Sequence, residues 1–120
     1  MYKIQKIGKQ VGPHLFITEI RTIDEDNFWM SPCYKQPSVT IHFTLKQEIP
    51  EVMNLLPVIE KELAPYKAKP HWGKLFTTSP KILSSLYPKI PEFIELLREY
   101  DPQKKFINDY LKLNILAREI

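Results

Sequence analysis

Ser38-Val39-Thr40-Ile41-His42-Phe43-Thr44-Leu45-Lys46 decides the fold class. Val39, Ile41, Phe43 and Leu45 alternate strictly with Thr40, His42 and Thr44, and a period of two puts the apolar set on one face of a strand and the polar set on the other. The apolar face calls for a helix to cover it, and the polar face is presented to something that takes hydrogen bonds. A second strand is expected over Leu15–Ile23, where Leu-Phe-Ile-Thr-Glu-Ile-Arg-Thr-Ile is short and rich in β-branched residues. Between the two, Asp24-Glu25-Asp26-Asn27 is turn-like, and Phe28-Trp29-Met30-Ser31-Pro32 sets bulky apolar side chains in a loop.

The cover for the strands comes next in the chain. Pro50 can open a helix, and Val52, Leu55, Leu56, Ile59 and Leu63 make one apolar stripe that runs to Pro65. Pro57 interrupts that stripe and has no amide hydrogen, so the helix is expected to kink there or to begin there. A short helix is predicted after Ser79-Pro80 with Ile82, Leu83 and Leu86 inward. Another is predicted from about Pro91, with Ile90, Phe93, Ile94 and Leu97 at helical spacing, ending at Asp101-Pro102. The tail from Phe106 to Leu116 is apolar enough to dock. At the other end, Ile4, Ile7 and Val11 predict helix of about two turns, limited by Gly8 and Gly12-Pro13. The expectation is an α+β fold, an antiparallel sheet covered on one face by helices, in one domain.

A chain of 120 residues, 43% hydrophobic and 26% charged, is globular in composition but short for an enzyme that holds a cofactor and shelters a substrate. The formal charge of +3 is spread without long like-charge runs, which argues against nucleic acid as a partner. A lone cysteine, Cys33, excludes an internal disulfide and fits a reducing compartment. With no apolar run long enough for a bilayer and no leader-like start at Met1-Tyr2-Lys3-Ile4, a cytoplasmic location is expected. Only 3 glycines are present and none forms a phosphate cradle, so a dinucleotide must be held mostly elsewhere. His14, His42 and His71 stand too far apart in sequence to suggest a metal.

Polar chemistry concentrates in two places. Glu19 and Arg21 share one face of the first strand, and His42 and Thr44 share one face of the second. If the strands are antiparallel neighbours, a carboxylate, a guanidinium, an imidazole and a hydroxyl lie close together, as a polyol would require. The same pattern also describes the wet side of an ordinary one-faced sheet. The second place is the loop His71-Trp72-Gly73-Lys74, where Gly73 permits a tight backbone and Lys74 is expected beside an aromatic ring, partly desolvated. The alternative there is a structural Trp72 with Lys74 reaching outward.

Glu19-Ile20-Arg21-Thr22, Trp29-Met30-Ser31-Pro32, His42-Phe43-Thr44, Pro70-His71-Trp72-Gly73-Lys74, Tyr87-Pro88, Asp101-Pro102 and Phe106-Ile107-Asn108-Asp109-Tyr110-Leu111 follow one another in an order and spacing that resembles one family over essentially the whole chain. It is similar to the C-terminal region of alditol and aldonolactone oxidases, flavoproteins of the vanillyl-alcohol-oxidase type. The resemblance implies that residues 1–120 are the C-terminal part of a substrate-binding cap domain with its returning tail, and that the FAD-binding domain is absent. It implies FAD as cofactor, an alditol such as xylitol or sorbitol or a sugar lactone as substrate, and the FAD-binding domain as a partner in cis or in trans. By matching motif, Glu19, Arg21, His42, Thr44 and Lys74 resemble substrate ligands, Arg21 and Lys74 the catalytic pair, and His71 with Lys74 the side facing the flavin ring. The exposed apolar surface of such a piece also suggests a self-associating or partner-binding module, with a homo-oligomer as one outcome.

Overall fold

The computed structural model describes residues 2–117. A pair of short helices, α1 (Tyr2–Lys6) and α2 (Gly8–Val11), leads through a 3₁₀ turn at Gly12–His14 into strand β1 (Leu15–Ile23). Strand β2 (Ser38–Leu45) returns antiparallel, and the long helix α3 (Ile49–Leu63) follows. After a loop come α4 (Pro80–Leu86), α5 (Ile90–Tyr100) and α6 (Asp109–Leu111), the last running into a π-helical turn at Lys112–Leu116. The α+β expectation holds, with β1 over the stretch rich in β-branched residues and β2 over the alternating one, ending one residue before Lys46.

Two strands paired over Ile17–Ile23 and Ser38–Thr44 form the whole sheet among the described residues. An irregularity between Leu15 and Ile17 leaves Phe16 outside the pairing. Cover by helices is confined to one end of one face. There Leu15, Phe43 and Leu45 pack with Leu55 and Ile59 of α3 and with Ile7 and Val11 of the N-terminal helices. Beyond that end, Ile20 and Val39 of the same face stay exposed. The radius of gyration, 15.9 Å, exceeds the ~13.6 Å of a compact domain of this length, as this partly uncovered ribbon would require.

Helix α3 runs unbroken through Pro57. Pro57 and Met53 both face solvent, so the Met53 carbonyl that loses its helical donor can be hydrated instead. In α4 the inward stripe is Leu83, Leu86 and Tyr87, while Ile82, expected inside, is 51% exposed. Leu83 and Tyr87 are both fully buried at i, i+4 spacing, and their shared face turns Ile82 away. Ser79 caps this helix, its Oγ accepting from the Ile82 amide at 3.4 Å.

A second core gathers Leu83, Tyr87, Ile90, Ile94 and Ile115, with Trp72, Phe76, Met30 and Leu111 against it. Tyr87 is its centre. The phenol donates to the Pro70 carbonyl at 2.8 Å and the ring lies 4.6 Å from that of Trp72, centroid to centroid. Trp72 Nε1 donates to the Met30 carbonyl at 2.8 Å, and the Tyr110 hydroxyl donates to the Trp72 carbonyl at 2.7 Å. The tail therefore docks as its composition suggested. Its approach is set by Asp101, a buried carboxylate that accepts from the Lys105 amide at 2.7 Å and the Phe106 amide at 2.8 Å while Lys104 takes a left-handed φ of 56°.

Asp101→Asn keeps one acceptor oxygen but aims an amide nitrogen at a backbone N–H, so a loss of about 1–3 kcal/mol is expected, read as a lower midpoint in urea unfolding. Tyr87→Phe leaves the Pro70 carbonyl unpaired and should cost a similar amount, about 1–3 kcal/mol. Burial raises the Tyr87 pKa above its ordinary 10.0, helped by the neighbouring Tyr110 and Cys33. Its contribution is thus fully present below about pH 10 and falls away above it, as the unfolded chain ionises and the folded one does not. Absorbance titration should find one of the six tyrosines silent until the protein unfolds.

Candidate functional site

The register puts Glu19 opposite His42, Arg21 opposite Thr40, and Ile17 opposite Thr44. Directly opposed residues of an antiparallel pair point to the same side, so Glu19, Arg21, His42 and Thr44 do share one face. Three of them are joined. Arg21 Nη2 donates to Glu19 Oε2 at 2.7 Å, and His42 Nδ1 lies 3.4 Å from the same oxygen, a long contact that is donated when Nδ1 carries the proton. Glu19 is thus the hub, with Oε2 doubly used and Oε1 open. Thr44 stands one pair further along, beside Ile17 rather than Arg21.

Thr40 occupies the position opposite Arg21, and its Oγ1 is 3.5 Å from the Arg21 carbonyl. Alternation placed Thr40 on this face but could not select it, because the long connection from Asp24 to Pro37 leaves the register of the strands undetermined. The Glu19, His42 and Arg21 side chains keep 40%, 43% and 67% of their surface exposed. An ion pair so open contributes about 0–1 kcal/mol to stability, so the cluster is better described as a set of preset donors and acceptors than as a structural staple.

In the second place, the tryptophan is structural. Trp72 spends its indole N–H on Met30 and its ring on Tyr87 and Phe76. The turn around it is closed by the Lys74 amide on the His71 carbonyl at 3.0 Å and by the Gly73 amide on His71 Nδ1 at 3.0 Å. Gly73 has no positive φ, and an added Cβ would meet the folded-back His71 ring at 3.4 Å, an ordinary contact, so neither backbone nor space demands glycine here. Since Nδ1 accepts from Gly73, a neutral His71 carries its proton on Nε2, where it can donate outward.

Lys74 is exposed, and its ammonium group makes no hydrogen bond, ion pair or ring contact among the described residues. The lysine of this loop that lies beside an aromatic ring is Lys69. Its Nζ sits 5.4 Å from the Tyr87 ring centroid and donates to the Pro32 carbonyl at 3.1 Å. Burial pushes its pKa below the ordinary lysine value, against the upward pull of Cys33 and Asp26. Lys69-Pro70 preceded the motif that drew attention, and with both Pro32 and Tyr87 distant in sequence no local signal marked it. Among the described residues, no hydrogen bond or ion pair connects the His71–Lys74 turn to the strand face.

Five motifs outside the strands, those containing Met30, Trp72, Tyr87, Asp101 and Tyr110, therefore converge on one aromatic core and its entry turn. The strand motifs converge instead on the Glu19 hub. The family model of D-arabinono-1,4-lactone oxidase matches residues 6–114. An alditol oxidase of Streptomyces sp. is 36% identical over 109 residues, 91% of this chain and 26% of the relative. An L-gulonolactone oxidase of Scyliorhinus torazame is 28% identical over 101 residues, 81% and 23% of the two chains. An L-gulono-1,4-lactone dehydrogenase of Mycobacterium tuberculosis is 26% identical over 111 residues, 91% and 25%. The chain thus spans about a quarter of the length of these relatives. No helix among the described residues is long and apolar enough to cross a membrane. Motif order, the paired strand face and a match over nearly all of its length agree: the chain belongs to the D-arabinono-1,4-lactone oxidase family.

Proposed function

We propose that this chain is the substrate-binding portion of an FAD-dependent oxidase that acts on a primary alcohol of an alditol, or on a sugar lactone, with oxygen as acceptor and hydrogen peroxide as product. The observation that carries the reading is the Glu19 hub: a carboxylate on a strand face already bonded to Arg21 and 3.4 Å from His42, with hydroxyls of Thr40 and Thr44 beside it. Such a face matches the alternating donors and acceptors of a polyol. The 36% identity to an alditol oxidase favours an alditol over a lactone.

Within this reading Glu19 Oε1 accepts from a substrate hydroxyl, and Arg21, with most of its five N–H donors uncommitted, binds a second. His42 holds the Glu19 carboxylate in place and Thr44 extends the face. Lys74, with no partner to neutralise it, supplies positive charge toward the oxygen that gives up its proton, together with Arg21. The His71 Nε2–H and Lys74 are donors of the kind that suit the edge of a flavin ring.

The residues here do not seat a whole FAD. Glycine is scarce, and the open groove of about 290 Å³ between Trp29 and Leu96 is rimmed by Glu92, Glu95 and Glu99, the first two paired with Lys89 and Arg98, so it is no phosphate cradle. An FAD-binding domain, in cis or in trans, is the partner this reading requires. Held by that domain, the flavin would supply the hydride acceptor, while Glu19 and Arg21 would hold the substrate hydroxyls.

The purified chain should be colourless and inactive. Exchanged for the matching 109 residues of the Streptomyces alditol oxidase, it should restore xylitol-dependent peroxide formation. In that chimera Arg21→Ala and Lys74→Ala should each lower kcat/KM by roughly 10²–10³. Flavin retained in equimolar amount by the isolated chain, or turnover unchanged by both substitutions, overturns the proposal.

A further inference from the structure

On β1 the polar face is only two residues long. Glu19 and Arg21 are bracketed on their own side of the strand by Ile17 and Ile23, which are 55% and 43% exposed. The register sets His42 opposite Glu19 and Thr40 opposite Arg21, whereas Thr44 stands opposite Ile17 and Ser38 opposite Ile23. Ser38 also spends its hydroxyl on the Gln36 carbonyl at 3.1 Å. The polar block is therefore two facing pairs, Glu19–His42 and Arg21–Thr40, and the sequence motifs single out every member except Thr40.

A guanidinium only donates hydrogen bonds, while a hydroxyl group both donates and accepts. A ligand hydroxyl resting on Arg21 alone has its oxygen satisfied and its proton without a partner; a carbonyl oxygen resting there lacks nothing. Arg21 by itself thus makes no distinction in favour of an alcohol. Thr40 supplies the missing acceptor. Directly opposed side chains of an antiparallel pair start about 5 Å apart, Cβ to Cβ, so one ligand oxygen can reach both. Thr40 Oγ1 donates to the Arg21 carbonyl in a long contact of 3.5 Å, and a hydroxyl that donates keeps both lone pairs for a ligand. The Arg21 guanidinium, 67% exposed with Nη2 on Glu19 at 2.7 Å, retains further N–H groups for the same oxygen.

We propose that Thr40 is a specificity-determining residue: it accepts the proton of the substrate hydroxyl whose oxygen Arg21 holds, and so favours an alditol over a lactone that brings its carbonyl oxygen to Arg21. This deepens the oxidase reading and rests on it. The alcohol gains one hydrogen bond that the carbonyl has no proton to make, and the gain lies in binding, since that hydroxyl is held and not oxidised.

The chimera with the Streptomyces alditol oxidase supplies the test, read as KM for xylitol and as the inhibition constant of D-arabinono-1,4-lactone against xylitol. Thr40→Val keeps the β-branched shape and removes the hydroxyl. It should raise the xylitol KM about 3- to 10-fold, the worth of one net hydrogen bond, with kcat and the lactone constant unchanged. Thr40→Ser returns the hydroxyl and should bring the xylitol KM back to that of the parent chimera. Flavin content equal to the parent's checks that each variant is folded, and Thr40→Ala takes the place of Thr40→Val if that one is not. An unchanged xylitol KM, or an equal loss for both ligands, overturns the role of Thr40 and leaves the oxidase reading standing; a chimera that does not oxidise xylitol overturns both.

Discussion

The buried Tyr87 phenol on the Pro70 carbonyl is the contact on which most of this structure depends. A fully buried hydroxyl has to find a partner, and the one it finds fixes the loop before Trp72. With that loop in place, Trp72 reaches the Met30 carbonyl and so anchors the segment between the strands; Tyr110 then closes over the Trp72 carbonyl from the tail. Two stretches without regular secondary structure, and helix α6 of the tail, are thereby held by three hydrogen bonds around one aromatic pair. The Lys69 ammonium on the Tyr87 ring and the Pro32 carbonyl adds a fourth tie.

This core was only half legible in the sequence. Helix α5 could be read because Ile90, Phe93, Ile94 and Leu97 repeat at its own period, and β2 because its alternation has no break. What periodicity cannot report is who meets whom across a loop. Trp72 was visible as an aromatic in a turn, but its partners Met30 and Tyr87 lie 42 and 15 positions away, and only the fold brings them together. The same limit misdirected attention to Lys74. A lysine next to a tryptophan in sequence suggested a desolvated cation, yet the chain reverses at His71–Lys74 and leaves Lys74 in solvent, while Lys69, before Pro70, is the one drawn inward. Ile82 failed for a related reason: a seven-residue helix has room for a single buried line, and Leu83 with Tyr87 takes it.

The strand face was more legible, because alternation alone decides which side chains share a side. Parity placed Glu19 with Arg21 and His42 with Thr44, and the observed antiparallel register brings the two pairs to one side. Register is a separate degree of freedom. It made Thr40, not Thr44, the neighbour of Arg21, and a connection of this length carries no short turn signal from which that register can be read. Two strands of clear alternation joined by a tight turn would have disclosed both; these are joined by a segment whose own order comes from Asp26 bonding the Phe28 amide and the Ser31 hydroxyl.

A two-stranded ribbon is marginal on its own, and here helices cover only one end of one face. The consequence for the Glu19 cluster is electrostatic. In water a pair of charges about 4 Å apart interacts by roughly 1 kcal/mol, and the same pair at the dielectric of a protein surface by roughly 4 kcal/mol. Arg21 is 67% exposed, so its pull on a ligand oxygen is near the weaker limit. Any surface laid over this face would lower the local dielectric and so strengthen every contact on it. The sheet thus sets the geometry of the contacts here, and their strength depends on how far the face is shielded from water.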